Sequence, residues 1–383
     1  MPATFDFEDI RPYYDEEVTA VMQALTSKGS FFVLMQFLFP GRTRAEITRM
    51  FLEMKSIEAF QRNFSYPAVR SILAQSAGEL SHAGFDFLGD GKSHLLLSNH
   101  RDIILDPGTL NVLRLDEGYD TCQLGIGSNL LFSPLLTALM KLNKSFTVKR
   151  EGSRQEMYLA SHQLSAYIRH IVAEKGESAW LSHRNGRTKD GDDRTQPGVL
   201  KMLSLSGSDD FVENFAAISL VPMAISYEYE PCDSYKAREM AHLAVHGSYT
   251  KSRDEDKNSM IAGMRNPKGR IHLELGKPVA PEELERIARQ FQKNDRMKAL
   301  AELIDTRIYA QYRLWPTNYM AYDLECGTDR YAAAYDEATR AQFVKYLEAR
   351  IVETGQDTPL LRKSLLAIYS NPVRNYERSR EAL

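Results

Sequence analysis

Cysteine is scarce in this chain of 383 residues. There are three, Cys122, Cys232 and Cys326, far apart and odd in number. That excludes a disulfide framework, and none stands in a metal-type C-x-x-C pair. A reducing, cytoplasmic setting is expected. Long apolar runs are also missing. The longest, Phe31–Phe39 (FFVLMQFLF), falls well short of the roughly 18 residues that span a bilayer. Any contact with lipid is therefore expected at the membrane surface, in a peripheral mode. The opening MPATFDFEDI is acidic and has no basic stretch leading into an apolar core, so no secretory leader is expected. Charge of one sign is not in excess. Lys and Arg number 48 against 51 Asp and Glu, a net −3 that excludes a global pull toward nucleic acid or an anionic membrane. An anion site, if present, must be a local cluster.

What is present is ordinary globular material. Hydrophobic residues make up 43% and charged residues 26%, enough to bury a sizeable core and to exclude global disorder. Up to about residue 84 the chain reads as helical. Apolar residues recur at helical spacing over Glu16–Leu25, Ser30–Leu38 and Ala45–Phe60, with Pro40-Gly41 as a break. From about 85 to 280, short apolar runs alternate with amphipathic stretches. Strands are expected at Ser93–Ser98, Thr121–Ile126, Ser145–Val148, Ser178–Ser182, Leu220–Tyr227 and Arg270–Leu275. Helices are expected at 107–115, 129–142, 153–174, 196–205 and 234–246. Such alternation predicts an α/β fold with a mixed, mostly parallel sheet flanked by helices. From 281 to 383 the chain is charged and helical, through 281–314 and 335–352, giving helical extensions at both ends.

Four segments carry chemistry. The first is Ser98-Asn99-His100-Arg101-Asp102-Ile103-Ile104-Leu105-Asp106-Pro107, an apolar strand ending at a histidine. Open α/β sheets place their sites at such strand ends. A histidine there can take a proton from an alcohol, and a nearby carboxylate can fix its tautomer. The same residues also read as plain structure: Asp106 before Pro107 has the chemistry of a helix N-cap. A metal cluster of His94, His100 and the aspartates lacks any recurrent ligand spacing. The second segment is Phe146-Thr147-Val148-Lys149-Arg150, a strand ending in two cations suited to an anionic ligand or to a solvated turn. The third, Trp180 to Gly191, runs from a strand into a turn with Gly186 and the cations Arg184, Arg187 and Lys189, followed by Asp190, Asp192 and Asp193. The fourth is Val221-Pro222, where a proline early in a strand reads as an edge or strand-start feature. Gly91-Lys92-Ser93 is no phosphate-binding loop. Asp86 stands where the first glycine should be, and the tripeptide precedes its strand.

Taken in order, these segments resemble the glycerolipid acyltransferase family of glycerol-3-phosphate and lysophosphatidate acyltransferases. The blocks are Asn99-His100…Asp106, Phe146…Arg150, Asn185-Gly186-Arg187 and Val221-Pro222, and the resemblance covers roughly residues 85 to 280. Two departures stand out. Five residues separate His100 from Asp106 where the family usually has four, so Asp102 competes with Asp106 as partner. Asn185 stands where many lysophosphatidate enzymes carry Glu. Asn185-Gly186-Arg187-Thr188-Lys189 is similar to the Gly-Gly-Arg-x-Arg turn of the soluble plastid-type glycerol-3-phosphate acyltransferases. The resemblance implies acyl transfer from acyl-CoA or an acyl carrier protein to a hydroxyl of glycerol 3-phosphate or a lysophospholipid. His100 would be the base, with Asp106 or Asp102 orienting it. Lys149, Arg150, Asn185, Gly186, Arg187 and Lys189 would bind the acceptor, although Lys149 and Arg150 could instead serve coenzyme A. No metal, no further cofactor and no covalent acyl-enzyme are implied. A metal-dependent hydrolase built on His100 and the aspartates, and a non-catalytic lipid-binding protein, are the competing readings.

Overall fold

The run Leu95-Leu96-Leu97 explains why the sheet is central. Alternate side chains of a strand point to opposite faces, and all three leucines are fully buried, so both faces of the sheet are covered. The computed structural model describes residues 5–252 and 254–382; Met1 to Thr4 of the acidic opening lie outside them. Seven strands form one sheet: β1 (Ala77–Ala83), β2 (Leu95–Ser98), β3 (Gln123–Gly127), β4 (Ser145–Val148), β5 (Ala179–Ser182), β6 (Leu220–Tyr227) and β7 (Gly269–Leu275). Their spatial order is β1-β7-β6-β2-β5-β3-β4. Every neighbouring pair is parallel except β6 with β7. The mixed, mostly parallel α/β sheet expected from the sequence is therefore present. Helices Arg154–Arg169, Pro197–Leu203, Pro281–Gln290 and Asn294–Ala310 cover one face over Leu95, Leu97, Leu181 and Ala224. Helices Tyr66–Ser76 and Leu105–Asp116 cover the other over Leu96, Trp180, Met223 and Ile225.

β4 and β6 fall on their expected residues, and the other expected strands shift by one or two residues, β3 at both ends. β1 was not expected: Ala77–Ala83 lies in the stretch read as helical and pairs in parallel with β7, so the sheet begins before residue 84. The single helix expected over Ala45–Phe60 is two. Arg44–Glu53 ends, Ser56 accepts a hydrogen bond from Ala59 N (3.1 Å), and a new helix starts at Ile57. Pro222 sits in an interior strand rather than at an edge. It is tolerated because its carbonyl, accepting from Gly276 N (2.8 Å), faces chain just beyond the last residue of β7. Its missing N–H, on the same side as that carbonyl, falls where that ladder has ended.

The two ends of the chain build cores of their own. Helices Asp15–Thr26, Gly29–Leu38 and Arg44–Glu53 pack with Pro134–Leu142. Helices Asp233–His246, Pro316–Cys326, Glu337–Thr354 and Pro359–Ala382 pack together at the other end. Ahead of the first helix, Ile10 accepts from Thr147 N (2.9 Å) and so covers the free edge of β4. Of the aromatic run at 31–39, Phe31, Phe32 and Met35 are buried while Val33 and Phe37 are exposed. Among the described residues no single helix is long and apolar enough to cross a membrane.

Candidate active site

The parallel strands β2, β5, β3 and β4 end at one edge of the sheet, and three of the four segments singled out in the sequence meet there, while Val221-Pro222 lies back within β6 beside Leu96 and Leu97. Asn99 splices the end of β2 to β6: its side chain accepts from Ile225 N (2.9 Å) and donates to Ile225 O (3.0 Å). The next residue, His100, leaves the sheet. Its Nδ1 lies 2.8 Å from Asp106 Oδ2. An ionised carboxylate only accepts, so Nδ1 carries the hydrogen and Nε2 keeps its lone pair. Asp106 is fully buried and takes three further donors: Arg101 N (2.5 Å), Asp102 N (3.0 Å) and the Tyr227 hydroxyl (2.8 Å). The His100 ring stands edge-on to Trp180, centroids 5.5 Å apart, and Trp180 Nε1 is pinned to Ser98 Oγ (2.9 Å).

Asp102 lies apart from the imidazole. Its Oδ1 accepts from Ile104 N (2.9 Å) and Leu105 N (2.7 Å), so it caps the helix that starts at Leu105. The cap expected at Asp106 therefore belongs to Asp102, and Pro107 is the third residue of the helix rather than its first. Burial, and then the charge of Asp106, push the Asp102 carboxyl pKa up. The turn at 103–104 thus separates the two tasks: Asp102 bonds to the start of the helix and Asp106 to His100.

His100 opens onto a cleft of about 560 Å³. Arg150, Asn185, Gly186, Arg187 and Lys189 line it; Lys149 does not, and its side chain is exposed. Arg150 follows β4, three strands from β2, and extends across bare backbone to the side-chain oxygen of Asn185. Gly127 makes the crossing possible, since a Cβ there would lie 2.9 Å from Arg150 Nε. Gly186 turns the loop at φ +78°, a left-handed conformation that suits glycine. Arg187 is 7% exposed, and its Nη1 has no hydrogen-bond partner among the described residues. Lys189 pairs with Glu239. Burial, and next the nearby Arg187, lower its pKa to about 8 against the pull of Glu239. Burial likewise pushes Arg150 down. An anion in the cleft would offset the burial that Arg150 and Lys189 bear, beside the carboxylates Glu151, Glu239 and Asp256 that also line it.

No protein-family model matches the chain, and no curated protein does. Among solved structures it is similar to the 1-acyl-sn-glycerophosphate (LPA) acyltransferase PlsC from Thermotoga maritima. Identity is 13%, the match covers 75% of this chain and 91% of that one, and the TM-score is 0.39. A likeness of that size carries no argument about chemistry, which rests on the side chains.

Several residues of the site were not read from the sequence. Tyr227 supports Asp106 from the far end of the Val-Pro strand. Lys251 lines the cleft and pairs with Asp256 (2.7 Å), which also accepts from Asn129 Nδ2 (3.1 Å). Tyr227 and Asp106, and Asn129 and Asp256, are more than 100 residues apart, so no local spacing announces these contacts. His183, within the third segment, is fully buried and bonded through Nδ1 to Thr195 Oγ1 (3.1 Å). Burial lowers its pKa to about 3, so it stays neutral. His94 lies elsewhere, against Ser219 Oγ (2.9 Å). Among the described residues no three His, Cys, Asp or Glu side chains come together as metal ligands.

Proposed function

We propose that the chain is an acyltransferase that moves a fatty acyl group from an acyl thioester, acyl-CoA or acyl carrier protein, to a hydroxyl of glycerol 3-phosphate or a lysophospholipid. One observation carries the reading. A histidine held through Nδ1 by a buried carboxylate turns its other nitrogen into the cleft whose walls hold Arg150, Arg187 and Lys189. The cations bind the acceptor phosphate and bring its hydroxyl to His100. Nε2 takes the hydroxyl proton as the oxygen attacks the thioester carbonyl. The tetrahedral intermediate collapses, the C–S bond breaks, and the thiolate receives the proton from the imidazolium. Asp106 stabilises that imidazolium in between. The acyl thioester is a co-substrate, and the proposed chemistry uses no other cofactor and no metal.

Residence is proposed in a reducing, cytoplasmic compartment, with the protein docked peripherally on a membrane. Three unpaired cysteines and the exposed Val33 and Phe37 on helix Gly29–Leu38 support this. The test is purified protein with an acyl-CoA and a panel of phosphate-bearing and phosphate-free hydroxyl acceptors, products resolved by mass spectrometry. Acylated product and free thiol in equal amounts, with phosphate-bearing acceptors only, is expected. Thiol release without acylated product marks a hydrolase. No turnover with retained lipid marks a binding protein.

A further inference from the structure

The turn that carries Arg184, Arg187 and Lys189 is held at three places. Thr188 N donates to His100 O (2.8 Å). Asp193 accepts from Arg101 Nη2 (2.6 Å), Asn99 Nδ2 (3.1 Å) and the Tyr312 hydroxyl (2.5 Å). The third hold comes from the last helix, Pro359–Ala382. Asn371 Nδ2 donates to Asp190 O (2.8 Å). Beside it Gly191, at φ +79°, meets the helix backbone so closely that a Cβ would stand 2.4 Å from Ile368 O and 3.2 Å from Ala367 O. Pro372 explains why that carbonyl is available. Four residues on from Ile368, it has no N–H to donate back. The same helical turn is itself fixed: the Tyr369 hydroxyl accepts from Glu230 N (3.1 Å) and donates to Asp233 Oδ2 (2.6 Å).

We propose that the C-terminal helix is a positioning element of the acceptor site. Asn371 and Pro372, working on Asp190 and Gly191, set where Arg187 and Lys189 stand and so tune affinity for the acceptor phosphate. This rests on the reading that those cations hold that phosphate. The experiment uses full-length Asn371→Ala, Asn371→Gln and Pro372→Ala beside Arg187→Ala. Steady-state kinetics are measured with sn-glycerol 3-phosphate and an acyl-CoA, and amide hydrogen exchange is followed by mass spectrometry.

In Asn371→Ala and Pro372→Ala, exchange over 188–193 accelerates and the acceptor KM rises about 3–10-fold, the worth of a net hydrogen bond. kcat and the donor KM stay within twofold, and Asn371→Gln, which keeps the amide donor, recovers part of the loss. Unchanged exchange in the turn overturns the proposal whatever the kinetics. Faster exchange with an unmoved acceptor KM, while Arg187→Ala raises it, overturns it as well. If Arg187→Ala leaves the acceptor KM unmoved, the phosphate assignment fails instead, and the exchange data alone decide whether the helix positions the turn.

Discussion

On the β2 side of the cleft, Asp106 is gripped by four donors and His100 by a carboxylate and the Trp180 indole. Among the cleft cations, Lys189 and Lys251 rest on single carboxylates, Arg150 rests on a neutral amide, and the buried Nη1 of Arg187 has no hydrogen-bond partner among the described residues. On the proposed reading, the base is saturated with fixed partners, whereas the cations are paired lightly enough for an incoming phosphate to displace their partners. A group that must keep one geometry through every turnover is overdetermined by its surroundings. A group that must take up and release an anion is paired lightly.

The comparison breaks first at His100. His100→Ala lowers kcat about 10²–10⁴-fold in a thioester assay, with melting temperature held, because the hydroxyl loses its base. Activity within threefold of wild type would remove His100 from the mechanism. Next come the two aspartates. Asp106→Asn cannot hold the imidazolium, so kcat falls by more than tenfold. Asp102→Asn keeps its cap, since Asn and Asp cap about equally well, and it leaves kcat near wild type. The reverse pattern would make Asp102 the partner of His100. Arg187→Ala removes a charge-assisted contact of about 1.5–3 kcal/mol and raises the acceptor KM about 10–100-fold with the donor KM unmoved. A raised donor KM alone would move Arg187 to the coenzyme side.

The smallest effect is in the pH profile. Lys189 is cationic below a pKa of about 8 and neutral above it. kcat/KM for the acceptor therefore declines severalfold as pH rises through 8. Lys189→Arg, charged throughout that range, flattens the decline. A limb that persists unchanged in Lys189→Arg would assign it to another group.

The parts legible in the sequence are those whose determinants are local. Leu95-Leu96-Leu97 and Leu220–Tyr227 read as strands because burial on both faces writes a continuous apolar run. Gly186 reads as a turn because its left-handed backbone suits glycine, a local determinant. β1 escaped because Ala77–Ala83 is an edge strand with a glycine, partly exposed along its length, and carries little apolar signature. Met54 to Ser56 escaped as a break because the residues on both sides keep helical spacing; Ser56, a helix-starting residue, was the available signal. The division of labour between Asp102 and Asp106 depends on how the chain turns between them. That is a matter of backbone path and not of composition. Tyr227, Lys251 and Asn371 join the site across 50 residues or more, which no spacing rule reaches.

Trp180 is one of two tryptophans in the chain, and its indole stands against the His100 ring. An excited indole transfers an electron to a neighbouring imidazolium far more readily than to a neutral imidazole. The emission of Trp180 is therefore a built-in optical gauge of the proton on His100. With Trp315→Phe removing the second emitter, a fluorescence titration or a stopped-flow trace follows protonation of the base directly, before any product is made.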